Sequence, residues 1–173
     1  MPDTEITGDN DNMTTATAAP ETTPIKVGAV APDFKLPDSE KKEWTLSEFK
    51  GKKPVALFFY PLDFSPTCSK ENACFSQDLS RYEKFAQVFG ISVDSVWCHK
   101  AYKAQMGLKH TLLADMHRTA IKAYGLFHAG GNISQRATVL VGSDGKVAFV
   151  KVEGDITKER DYKELEAELA KLK

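Results

Sequence analysis

The sequence predicts an α/β fold, a mixed central sheet flanked by helices with a β-hairpin at its N-terminal end. Three observations carry this. Residues 54–60 (PVALFFY) and 88–93 (VFGISV) are continuous apolar runs of strand length, the pattern of strands buried on both faces of a parallel sheet. Between them Phe75, Leu79 and Tyr82 recur at spacings of four and three, as on one face of a crossover helix. Towards the C-terminus, residues 137–141 and 146–152 flank Gly142-Ser143-Asp144-Gly145, a hairpin signal that adds antiparallel strands.

The remaining elements follow in chain order. Residues 34–36 and 43–46 read as short strands around the polar turn Pro37-Asp38-Ser39-Glu40, and residues 47–51 as one helical turn closed by Gly51. Residues 95–106 form a helix with Asp94 or Ser95 as N-cap. Residues 112–114 are a short strand, and residues 117–124 a helix stopped at Gly125. A closing helix carries Tyr162, Leu165, Leu169 and Leu172 on one face. The order is a hairpin, then β-α-β-α, then a hairpin and a last helix, with helices on both sheet faces. That layout resembles the thioredoxin-like fold.

Composition narrows the function. The chain has 173 residues, 42% apolar and 27% charged, with a formal net charge of -1, which gives no general pull towards nucleic acid or anionic lipid. The longest uncharged apolar run, residues 54–62, is far below the ~20 residues that span a bilayer. Three cysteines are too few for a disulfide scaffold and point to individually meaningful thiols in a reducing compartment, the cytoplasm. Residues 1–24 hold seven threonines, five acidic residues and no Lys or Arg, and are expected to be a disordered tail without a secretory or mitochondrial leader pattern. Residues 25–173 are expected to form a single domain, with 23 basic and 19 acidic residues.

Sites in open α/β sheets form beyond the carboxyl ends of strands. At the first such end, Tyr60-Pro61-Leu62-Asp63-Phe64-Ser65-Pro66-Thr67-Cys68 runs from a buried strand into a helix that opens near Pro66. Cys68 falls in the first helical turn, where unpaired N–H groups and the helix dipole favour an anion, hence a reactive thiolate. Ser65 can offer a hydroxyl to a bound oxygen.

The segment Pro61-xxx-Ser65-xx-Cys68 resembles the P-x-x-x-T/S-x-x-C motif of peroxiredoxins, the thiol peroxidases. Three further segments are similar to that family in the expected order: Ala31-Pro32-Asp33-Phe34-Lys35-Leu36, Ile91-Ser92-Val93-Asp94-Ser95 with His99, and Arg136-Ala137-Thr138 before VLVGSDGKV. The likeness covers roughly residues 25–155 and leans towards the bacterioferritin-comigratory, PrxQ-like and AhpE-like members. It implies that Cys68 is the peroxidatic nucleophile, that Ser65 (usually Thr in the family) holds the peroxide, and that Pro61 shelters the sulfur. It implies that Arg136 stabilises the thiolate and the peroxide oxygens. The implied reaction reduces hydrogen peroxide or organic hydroperoxides through a cysteine sulfenic acid, with no metal or organic cofactor. A thioredoxin-type thiol reductant is the implied partner, and the chain would be a monomer or small homodimer.

Recycling of the sulfenic acid leaves alternatives. Cys74 lies six residues after Cys68, ~9 Å of rise and ~240° of rotation along an intact helix, and shares with Glu71, Asp78 and Arg81 a stripe that reads as solvated. Cys98 lies one turn into the helix after the second strand, whose start faces the same sheet edge as that of the Cys68 helix; some PrxQ-like members resolve from this helix a few residues further along, and Cys98 is the favoured resolving cysteine. Reduction by an external thiol is the third option. Beside Cys98, Trp97 reads as core packing and His99 as a helix-surface imidazole; His110, His117 and His128 read as surface or packing residues. A dithiol oxidoreductase would need C-x-x-C, which is lacking. Cys68, Cys74, Cys98 and His99 match no structural zinc spacing. The principal rival is a redox-inactive thioredoxin-like binding module.

Overall fold

Apolar alternation across the central strands divides the core between two faces of one sheet. The computed structural model describes residues 23–172, and within them a five-stranded sheet has the order β5-β4-β3-β8-β9. Its strands are β3 (Val55–Phe59), β4 (Gln87–Ser92), β5 (Thr111–Ala114), β8 (Ala137–Val141) and β9 (Val147–Val152). β3 pairs parallel with β4, β4 parallel with β5, and β3 and β9 antiparallel with β8, so the sheet is mixed as the pattern predicts. The N-terminal hairpin is a separate two-stranded sheet, β1 (Lys35–Pro37) with β2 (Glu43–Thr45). Its turn is organised by Asp38, which accepts from the backbone N–H groups of Glu40 and Lys42 and from Trp44 Nε1. A 3-10 turn, Leu46–Phe49, leads into β3.

Val55, Leu57 and Phe59 of β3 face one cluster, with Phe89, Ile91, Val139 and residues Ile121 and Tyr124 at α3 (Thr119–Ala123). Ala56 and Phe58 face the other, with Phe75 and Tyr82 of α1 (Pro66–Tyr82) and Leu165 and Leu169 of α4 (Tyr162–Leu169). α2 (Val96–Met106) closes the same side, where Tyr102 packs with Tyr60, Leu112 and Cys68. Such two-sided burial explains why the strand runs carry no polar alternation. Gly90 is a close approach: a Cβ there would lie 2.7 Å from Leu112 Cδ2 and 3.3 Å from Tyr60 Cε1. Gly125, at φ +68°, ends α3 in the left-handed region.

Three expectations need correction or completion. A further hairpin, β6 (Phe127–His128) with β7 (Ile133–Ser134), intervenes before β8; its strands are too short for periodicity to reveal. Ser95, not Asp94, is the N-cap of α2 and accepts from Cys98 N at 3.1 Å. α4 ends at Leu169, so Leu172 packs against the core from beyond the helix. The Thr-rich acidic tail, apart from its last two residues, lies outside the described residues.

Between α1 and α2 the packing turns polar. His110 is buried, with Nε2 2.9 Å from Asn72 Oδ1 and Nδ1 2.9 Å from Ser76 Oγ. An Nε2–H donor to Asn72 and an Nδ1 acceptor from Ser76 satisfy this network. Burial, then the positive charge of Lys103, lowers the His110 pKa from 6.5 to about 3. Unfolding therefore takes up a proton between those values, and the stability contributed by neutral His110 is lost as pH falls through that window. Urea titrations from pH 6.5 to 5 should show a slope of up to about 1.4 kcal/mol per pH unit from this residue. The slope should shrink in His110→Gln; an unchanged slope would remove His110 as its source.

Candidate active site

The site starts from the helix opening. Ser65 caps α1 with an extended backbone, Pro66 occupies the first helical position and Cys68 the third, so the Cys68 side chain is carried in the anion-favouring first turn. The loop ahead of it is pinned. Asp63, buried, accepts from Tyr60 Oη at 2.7 Å and pairs with His99 Nδ1 at 2.8 Å, while its backbone N–H donates to Asp94 Oδ2 at 2.9 Å. Phe64 follows at φ +59°, a costly conformation for a bulky residue, with its ring 4.9 Å edge-on from Tyr102. Tyr102 Oη in turn lies 3.3 Å from Ser69 Oγ. The β3–α1 loop is thus stapled to the β4–α2 segment on both sides of Phe64.

Arg136, immediately before β8, is 1% exposed and reaches the sulfur: Nη2 donates to Cys68 Sγ at 3.2 Å and to Ile156 O at 2.8 Å, and Nη1 is hydrogen-bonded to Glu71 Oε2. A second guanidinium stands behind it. Arg160, also buried, donates from Nη1 to Glu71 Oε2 at 2.6 Å, from its backbone N–H to Glu71 Oε1 at 2.8 Å, and from Nε to Thr138 Oγ1 at 3.1 Å. Its Nη2 donates to the carbonyls of Phe59 and Ala137. The backbone between β9 and α4 roofs this cluster, tied to α1 by Thr67 Oγ1 donating to Thr157 O at 3.2 Å and by Lys70 pairing with Glu159 at 2.7 Å.

Two buried guanidiniums therefore share one buried carboxylate. Glu71 cancels one positive charge, and among the described residues no other acidic side chain pairs with either arginine. The remaining charge has the Cys68 sulfur in contact, so an anionic sulfur is what would complete the pairing that buried charges require. A cleft of about 230 Å³ opens beside the cluster, lined by Pro61, Ser65, Thr67, Ile133, Arg136 and Ile156 among others. Cys68 itself is fully buried, and Arg136 links it to the cleft. Ser65 Oγ donates to Leu62 O at 3.1 Å. Pro61, Ser65 and Arg136 thus gather around one opening with Cys68 behind it.

The other two cysteines do not join them. All three thiols are free, and α1 runs unbroken past Cys74, which stays half-buried further along the helix. Cys98 is held by acids: Sγ donates to Asp94 Oδ1 at 3.6 Å, and burial followed by the charges of Asp94 and Asp63 pushes its pKa up to about 12. Asp63, Asp94 and Cys98 could together present three ligand atoms to a metal ion, but both Asp63 oxygens and Asp94 Oδ2 already accept protein hydrogen bonds.

Three readings are overturned here. Glu71 is buried: it extends the Phe75–Leu79 stripe by one turn, and that spacing of four was the signal available in the sequence. Trp97 is 64% exposed under Lys41, whereas His99 is fully buried on Asp63. The α2 surface that meets the β3–α1 loop is therefore the polar one. Arg160 had no signal at all, since it stands in the charged run Lys158-Glu159-Arg160-Asp161 that reads as solvated.

The AhpC/TSA family model matches residues 27–150. The chain belongs to that family. It is 37% identical over 128 residues to peroxiredoxin Q, chloroplastic, of Triticum aestivum, covering 73% of this chain and 58% of that one. It is 36% identical over 143 residues to putative peroxiredoxin bcp of Coxiella burnetii, covering 76% and 94%. Reduced 2-Cys peroxiredoxin of Plasmodium vivax superposes with a TM-score of 0.76 at 32% identity, covering 83% of this chain and 94% of the other. This chain thus spans less than two thirds of the wheat relative and nearly all of the Coxiella one. The thioredoxin-like fold and the leaning towards PrxQ and bcp members agree with these likenesses. Among the described residues no helix is long and apolar enough to cross a membrane.

Replacing Glu71 by Gln removes the one carboxylate that the two buried guanidiniums share. Such a change should cost about 3–5 kcal/mol of unfolding free energy in urea denaturation. A loss below about 1 kcal/mol would show that the arginines are neutralised elsewhere.

Proposed function

We propose that this AhpC/TSA-family chain is a thiol peroxidase that reduces hydrogen peroxide and organic hydroperoxides, with Cys68 as its nucleophile. The observation that carries the reading is the charge count at the buried cluster, one carboxylate against two guanidiniums with the sulfur 3.2 Å from Arg136 Nη2. The Cys68 thiolate attacks the terminal oxygen of the hydroperoxide in line with the O–O bond. A sulfur–oxygen bond forms, the O–O bond breaks, and the leaving oxygen takes up a proton to give water or an alcohol. Cys68 is left as sulfenic acid. Arg136 fronts the cleft and touches the sulfur, so one guanidinium can neutralise the nucleophile and then the charge spreading onto the peroxide oxygens. Ser65 faces the same cleft and can exchange its Leu62 partner for a peroxide oxygen, with Pro61 shielding the sulfur from water. The buried position of Cys68 requires a small opening of the cleft wall to admit the oxidant.

In this reading Cys98 resolves the sulfenic acid, a thioredoxin-type thiol reduces the resulting disulfide, and the protein works in the cytoplasm. The unbroken α1 argues against Cys74, because a disulfide needs Cα atoms within ~7 Å.

Cys68→Ser should abolish peroxide consumption in a ferrous-oxidation assay while circular dichroism stays unchanged; retained turnover would remove Cys68 from the chemistry. Arg136→Ala should slow peroxide consumption by about 10²-fold or more, and an unchanged rate would end its role. Non-reducing peptide maps after one equivalent of peroxide should contain a Cys68–Cys98 link. A Cys68–Cys74 link, or sulfenic and sulfinic acids alone, would overturn Cys98 as the resolving thiol.

A further inference from the structure

Cys98, like Cys68, occupies the third position of a helix, a place where backbone N–H groups favour a thiolate. Its surroundings reverse that preference. The ligand atoms of Cys98, Asp94 and Asp63 all lie within 4.8 Å of one another, and the carboxylates are fixed in place. Asp94 Oδ2 accepts from Ser92 Oγ at 2.7 Å and from the Asp63 N–H at 2.9 Å. Asp63 accepts from Tyr60 Oη and meets His99 Nδ1. His99 Nε2 is buried without a partner. The His99 ring thus fixes Asp63 in place through a single nitrogen, Nδ1. On the solvent side Lys41 lies over the Trp97 ring at 4.1 Å, and Lys100 pairs with Glu40 at 3.2 Å. Among the described residues no lysine or arginine pairs with Asp63 or Asp94.

The geometry points to a latch: Asp94, backed by Asp63, holds Cys98 in its thiol form, so that attack on the Cys68 sulfenic acid waits for the carboxylates to withdraw. The consequence for turnover rests on the peroxidase reading. In the resolving step Cys98 loses its proton and its sulfur bonds to the Cys68 sulfur. The Cys68 S–O bond breaks, and the departing hydroxide takes a proton to become water. Cys98 is oxidised and the Cys68 sulfenic acid is reduced to the disulfide level. Burial first, then the charges of Asp94 and Asp63, push the thiol up to about 12, so at pH 7 its thiolate is far scarcer than the roughly 3% of an unperturbed cysteine. A closed latch prolongs the sulfenic acid, leaving it open to a second peroxide that converts it to sulfinic acid. Asp94 thereby sets the balance between resolution and overoxidation.

The test is iodoacetamide alkylation of Cys98 in the reduced full-length chain, read by peptide mass spectrometry from pH 6 to 10, in wild type and Asp94→Asn. In the variant the amide oxygen can keep the bonds from Ser92 and the Asp63 N–H, while the amide N–H₂ turns towards sulfur and favours its anion. The wild-type rate should climb about tenfold per pH unit to pH 10 without levelling, and the variant should alkylate Cys98 at least about tenfold faster at pH 7. A wild-type plateau near pH 8–9 would overturn the latch, and so would an unchanged or slower rate in the variant. If Asp94→Asn does not fold, Asp94→Ser is read in its place by the same criterion, because burial also raises the thiol and the wild-type profile alone would not single out Asp94. After one equivalent of hydrogen peroxide, the variant should form the Cys68–Cys98 disulfide faster and less Cys68 sulfinic acid. If neither protein forms that disulfide, Cys98 is not the resolving thiol; if neither consumes peroxide, the peroxidase reading falls. The alkylation profiles judge the latch in both cases.

Discussion

The Glu71 carboxylate, held between two buried guanidiniums, is the constraint on which the arrangement depends. It joins α1 to the start of β8 through Arg136, and to the backbone ahead of α4 through Arg160. Arg160 in turn donates to carbonyls at the end of β3 and the start of β8. Charges this deep are tolerated only when paired, so the cluster fixes the distance between the helix that carries Cys68 and the strand edge that carries Arg136. It also leaves one positive charge for the sulfur. Structural pairing and the chemistry proposed for Cys68 thus draw on the same charge count.

Cys68 and Cys98 make a natural comparison. Both stand third in a helix that follows a strand of the same sheet. Their backbones offer the same partial positive charge, so side chains alone separate them: a guanidinium faces one, two carboxylates face the other. Asp63 connects the two environments. It leads into the Cys68 helix, receives His99 from the Cys98 helix, and donates its N–H to Asp94. Through Asp63 the acids around Cys98 are joined directly to the loop ahead of Cys68.

The fold was legible where burial is two-sided and long. The apolar runs of β3 and β4, the Phe75–Leu79–Tyr82 stripe and the glycine-rich turn before β9 all mark elements that the structure contains. The two-residue strands β6 and β7 left no periodic trace. At the candidate site, Pro61, Ser65 and Cys68 are proposed from a motif with fixed offsets and Arg136 from the separate segment Arg136-Ala137-Thr138. Glu71, His99 and Trp97 were misplaced because helical spacing says which residues share a face and not which face meets the core. Polar residues buried by pairing look, in one dimension, like solvated ones.

The sequence by itself determined that a cysteine follows a buried strand at a helix start, since strand length, proline position and helix opening are local properties. It also determined the alternation that makes the sheet mixed. Only the tertiary structure decided what charge surrounds each thiol. Glu71 and Arg160 are separated by 89 residues, and Asp63 and His99 by 36. Electrostatic surroundings are set by distances in space, and chain order does not encode those until the sheet has brought its strand ends together.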